Sequence, residues 1–137
     1  MIFTIHLAAA LAMTGLIWFV QIVHYPLFHH SDRTPAFFKA HADRTGLIVI
    51  PLMLVEITTA AALLSPHLDF PFPIAITNFA RLLFIWLVTA IFSLPCHQKL
   101  IRNGYNPAVV DRLVHTNWLR TLLWTARSIL LLSASAR

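Results

Sequence analysis

The chain has 137 residues, of which 58% are hydrophobic and only 11% charged, with a mean hydropathy of +0.74. A soluble domain of this length carries about a quarter charged residues, so the composition excludes an ordinary globular domain and points to an integral membrane protein. The net charge of +5 would suggest nucleic acid in a soluble protein. In a membrane protein it reports topology and attraction to an anionic leaflet, and no nucleic-acid partner is expected.

The first span is predicted over residues 2–23, with His6 near its start and Gln21 near its end. It lacks the basic start and small-residue cleavage site of a signal peptide, and so reads as a retained span. Pro26 marks its exit after His24-Tyr25. Residues 27–33 are polar enough for a loop. Residues 35–45 then read as a short amphipathic helix lying in the membrane interface. Phe37, Phe38 and His41 share one face of it, while Lys39 and Asp43 form an i,i+4 pair on another.

Residues 46–65 form an almost unbroken apolar stretch, long enough to cross a bilayer as a helix of about 20 residues. Glu56, the only glutamate in the chain, falls near its midpoint. An ionisable group at that depth costs about 2.5–3.5 kcal/mol unless it faces a partner or a water-filled cavity. Glu56 is therefore a candidate catalytic residue, as ligand or proton acceptor. Pro51 should kink this helix. Residues 66–73 form a rigid turn, and a third span is predicted over 74–94, ending at Pro95-Cys96-His97. A basic loop comes next. Asn106-Pro107 supplies an N-cap and first helical residue for the last helix, which spans the membrane over 114–133.

The expected fold is thus one domain over residues 1–137, an all-α four-helix transmembrane bundle with an interfacial helix between spans one and two. Basic residues occupy the first loop (Arg33, Lys39, Arg44) and the third (Lys99, Arg102, Arg112), while the middle loop has none and the C-terminus only Arg137. The positive-inside rule then makes the basic loops cytoplasmic and puts both termini outside, as in a bacterial inner-membrane protein.

That topology brings His24, His41, His97 and His115 to the cytoplasmic end on four different elements. Four converging imidazoles would suit a transition metal. The helical spacings HExxH, ExxH and HxH are all absent, and interfacial histidines also serve simply as amphipathic packing groups. Asp111 is i,i+4 to His115, the spacing of a carboxylate that orients a metal-ligating imidazole and equally of an ordinary stabilising pair. On the last helix Asn117, Arg120, Thr121, Trp124 and Arg127 share a face that could answer Glu56. Two arginines against one acid leave positive charge over, which favours an anion site in which Arg120 and Arg127 hold a carboxylated ligand and Asn117 supports them. A single cysteine, Cys96, excludes an intramolecular disulfide and reads as a small buried hydrophobe.

His6-Leu7, the aromatic pair Trp18-Phe19 leading to His24-Tyr25, and the amphipathic approach to a Pro-containing second span together resemble the HemJ-type protoporphyrinogen oxidases. The chain also resembles the wider group of small four-helix membrane proteins with CopD-type and anthrone-oxygenase-like members. The resemblance covers mainly residues 1–65. It implies haem b as cofactor, with His6 at the position of the family's haem-ligand histidine. It does not carry the oxidase reaction to this chain. The sequence-based expectation is a haem- or metal-binding membrane redox protein acting on an apolar or carboxylated small molecule, in a homo-oligomer or a larger membrane complex. The alternatives are a non-enzymatic accessory subunit and a proton-coupled transporter using Glu56.

Overall fold

The computed structural model describes residues 1–136, so Arg137, counted in the topology above, lies outside the described residues. The described chain is all helical. Helix α1 (Ile2–Phe19) runs through a π turn (Val20–His24) into a 3-10 turn (Pro26–His30). Helix α2 covers Pro35–Ala62. Helix α3 (Phe72–Val88) passes through a second π turn (Thr89–Ser93) into α4 (Leu94–Asn103), and α5 covers Pro107–Ser135. Three of these helical rods, Ile2–His30, Pro35–Ala62 and Phe72–Asn103, are long and apolar enough to cross a membrane.

Several predicted boundaries differ, the first where the 3-10 turn Pro26–His30 takes up most of the expected loop over 27–33. The separate interfacial helix does not exist: residues 35–45 and the second span form one 28-residue helix. Nothing between Thr45 and Gly46 breaks it, because a single helical glycine costs only about 1 kcal/mol. Its start is fixed by Pro35 in the first turn and by Thr34, whose hydroxyl accepts from the Phe37 N–H at 3.3 Å. The expected faces persist, with Phe38 buried and Lys39 bonded to Asp43 at 2.6 Å on the exposed side. The third span likewise does not stop at Pro95. The π turn resets the hydrogen-bond ladder, and Pro95 falls in the first turn of α4, where a missing N–H costs nothing.

Helix α5 packs against both α1 and α3. Close approach depends on small residues: Ala10, Ala60 and Ala75 are fully buried and Ala9 nearly so. Thr14 on α1 and Ser128 on α5 bond each other at 2.7 Å, and Ser128 also reaches the Ala10 carbonyl at 3.4 Å. The loops at the far end are tied together. His29 bridges the Tyr105 hydroxyl (3.0 Å) and Asp111 (3.2 Å), and the Arg33 guanidinium lies 4.8 Å from the Tyr105 ring centroid. Gly104 ends α4 with φ of +75°, where a Cβ would stand 2.7 Å from the Arg33 carbonyl oxygen.

Candidate functional site

Two polar layers are stacked inside the bundle. In the deeper one, Glu56 on α2 is fully buried and pairs with Arg127 Nη1 on α5 at 2.8 Å. The Trp124 indole N–H donates to both carboxylate oxygens, at 3.2 and 3.0 Å. Arg127 Nε donates to Asn78 Oδ1 at 3.1 Å, and the Asn78 amide donates to His6 Nε2 at 3.0 Å. The other ring nitrogen, Nδ1, lies 2.7 Å from Thr59 Oγ1, whose own proton goes to the Val55 carbonyl. Thr59 must therefore accept from His6, which fixes the neutral Nδ1–H tautomer. Every member of this layer has its hydrogen-bonding needs met by another, as a buried polar network requires.

That closure bears on three candidates. His6 has both ring nitrogens engaged and no exposed surface, so in this arrangement it does not fit an axial haem ligand. Arg127 is committed to Glu56 and Asn78 and is not available to hold a ligand beside Arg120. Glu56 itself is enclosed by donors from α5 and has no access to a ligand.

The shallower layer is built by Gln21, Asn117, Thr121, Ser93 and Arg120. Asn117 donates to Gln21 Oε1 at 2.9 Å and accepts from Arg120 Nη1 at 3.1 Å. Arg120 Nη1 also donates to Ser93 Oγ at 3.2 Å, whereas its Nε has no hydrogen-bond partner. Beside this layer is a cavity of about 280 Å³, with walls from α1, α2, α5 and the rod of α3 and α4. Most of the wall is apolar, and its polar side chains include Tyr25, His41, Ser93, His97, Gln98 and Arg120. Both π turns border it. A π turn adds a residue to the helical repeat and re-aims the side chains beyond it, and such turns recur at functional sites.

Of the four predicted cytoplasmic histidines, His41 and His97 line the cavity and His24 adjoins His41 outside its wall. His24 Nε2 lies 2.9 Å from His41 Nδ1, the His41 and His97 rings stack at 5.8 Å, and His97 Nε2 lies 3.0 Å from the Tyr25 hydroxyl. His115 does not join them. It is exposed on α5, and Asp111 bonds His29 instead of His115. Helical geometry holds the reason: with about 100° per residue, His115 is about 200° around the helix from the buried Asn117. The same arithmetic is readable in the sequence. His29, Asn78 and Tyr25 escape a sequence reading as partners because they come from loops and neighbouring helices whose depth no local pattern encodes.

Among the described residues no group of three or more His, Cys, Asp or Glu side chains is arranged to hold an ion. Two nitrogens on one tetrahedral metal, each at about 2.0–2.1 Å, stand about 3.3 Å apart with both lone pairs aimed at the ion. His24 and His41 instead face each other across a direct hydrogen bond. Cys96 is buried and free. No family model matches the chain, and no curated protein or solved structure does.

Proposed function

We propose that this chain is a four-helix transmembrane protein that binds a small, largely apolar molecule in the cavity beside Arg120. His41, His97 and Tyr25 would serve there as acid–base groups. All four long rods cross the bilayer in this reading, including α5, whose two central arginines face the bundle interior. The basic first and third loops favour an orientation with both termini outside.

One observation carries the functional reading: a hydrogen-bonded tyrosine–histidine pair on the wall of an otherwise apolar intramembrane cavity. A phenol and an imidazole sharing one hydrogen bond can exchange donor and acceptor roles, and each can give or take a proton at a bound molecule. The stacked His41 and its bond to His24 would extend the pair toward the membrane surface. An accessory subunit whose polar residues only lock helices accounts for the Glu56 layer but has no use for the cavity. Haem- or metal-dependent redox chemistry has weaker support, since His6 has both ring nitrogens engaged and His24, His41 and His97 each spend one nitrogen on a neighbour.

Gly46 provides the test. It lines the cavity, and a Cβ added there would meet only Ile50 Cδ1 at 3.5 Å, an ordinary contact. Gly46→Phe should fill the cavity with little disturbance of the fold. In lipid nanodiscs examined by native mass spectrometry, the original protein should retain one 1-octanol per chain and Gly46→Phe none. Equal retention would sink the cavity reading. A visible absorption spectrum in mild detergent, if it held a Soret band that shifts on reduction, would restore the haem reading in its place.

A further inference from the structure

The buried charges of the bundle do not balance. Glu56 is matched by Arg127, and the remaining acids, Asp32, Asp43, Asp69 and Asp111, lie outside the buried interior. Arg120 is 5% exposed and makes no ion pair among the described residues. Its hydrogen-bond partners Ser93 and Asn117 are neutral, and its Nε has none. The Trp124 ring lies 5.3 Å from the guanidinium carbon and contributes a cation–π attraction, but that indole's N–H serves Glu56, whose charge is already answered. An unmatched guanidinium in a low-dielectric interior is costly, and a partnering hydrophobic surface does nothing to offset its charge.

We infer that the counter-charge arrives with the ligand: the cavity takes an amphiphilic monocarboxylate whose carboxylate pairs with Arg120. The apolar part would lie among Met13, Ile17, Val49 and Met53, which line the same space. This inference rests on the cavity being the ligand site. A carboxylate is favoured over a phosphate monoester because Arg120 is the single Lys or Arg on the cavity wall among the described residues. One guanidinium matches one planar carboxylate, whereas a phosphate monoester brings about −1.5 to −2 charge and would want a second cation.

The test compares octanoate with its uncharged isostere octanamide and with octyl phosphate, each titrated onto the full chain in neutral-lipid nanodiscs. We expect octanoate to bind at least about ten-fold more tightly than octanamide, as charge-assisted pairing with a buried guanidinium requires. Arg120→Gln should abolish that preference and Arg120→Lys should keep part of it. The original protein alone decides the matter if Arg120→Gln fails to fold. Octanamide binding as well as octanoate, or octyl phosphate binding more tightly than octanoate, would overturn the carboxylate assignment. Retention of 1-octanol with no binding of octanoate would overturn it too, while leaving the cavity reading intact.

Discussion

Arg120 and Arg127 lie seven residues apart on one face of one helix, yet the structure treats them differently. Arg127 is fully buried and enclosed by Glu56 and Asn78, in a layer where each polar group serves another. Arg120 lines a cavity with its buried Nε unpartnered and, among the described residues, no carboxylate paired with it. Pairing is complete in the first layer and unfinished in the second. The difference separates a charge that joins helices from a charge that the described residues leave unmatched.

Removing the acid should break the comparison most visibly. Glu56→Gln leaves Arg127 buried without its partner, and breaking a buried pair costs about 3–5 kcal/mol. Thermal unfolding in detergent should register this as the largest loss among the polar-layer variants. A near-unchanged midpoint would mean that the deep layer is not held by its ion pair. Asn78→Leu should come next. It strands Arg127 Nε and leaves His6 Nε2 only the long 3.5 Å contact from Arg127 Nη2, and buried groups left unsatisfied cost about 1–3 kcal/mol. The smallest change is expected for Arg120→Gln, within about 1 kcal/mol of the original, because the lost bonds to Ser93 and Asn117 are offset by removal of an unmatched charge. Should Arg120→Gln destabilise as strongly as Glu56→Gln, the two arginines are equivalent and the contrast fails.

Part of this arrangement is legible in the residues alone. Glu56 amid apolar neighbours announces that it needs a partner, and the 3- and 4-residue spacing of Asn117, Arg120, Thr121, Trp124 and Arg127 offers one. All five are buried, and Trp124 and Arg127 reach the carboxylate. Which arginine answers Glu56 is not legible, because periodicity gives a face but not a depth relative to another helix. His6 and Asn78 complete the layer for the same reason unseen: each belongs to a different rod, and only their relative heights bring them together. The expected boundary at residues 45–46 lies where polarity changes, although polarity alone does not end a helix; that takes a breaker or a cap, and neither stands there.

The two π turns bear on how such a site arises. Val20–His24 and Thr89–Ser93 sit on separate rods, and both border the same cavity. One residue added to a helical turn rotates everything beyond it by about 100° relative to a regular helix. Each rod therefore changes rotational phase beside the cavity, so one end keeps the regular packing of small residues against α5. The other end is turned, carrying Tyr25 on the first rod and His97 on the third to face each other. A regular α-helical phase on either rod would aim one of these two rings elsewhere. Two local phase shifts, rather than a separate loop or domain, give the bundle a wall with chemistry on it.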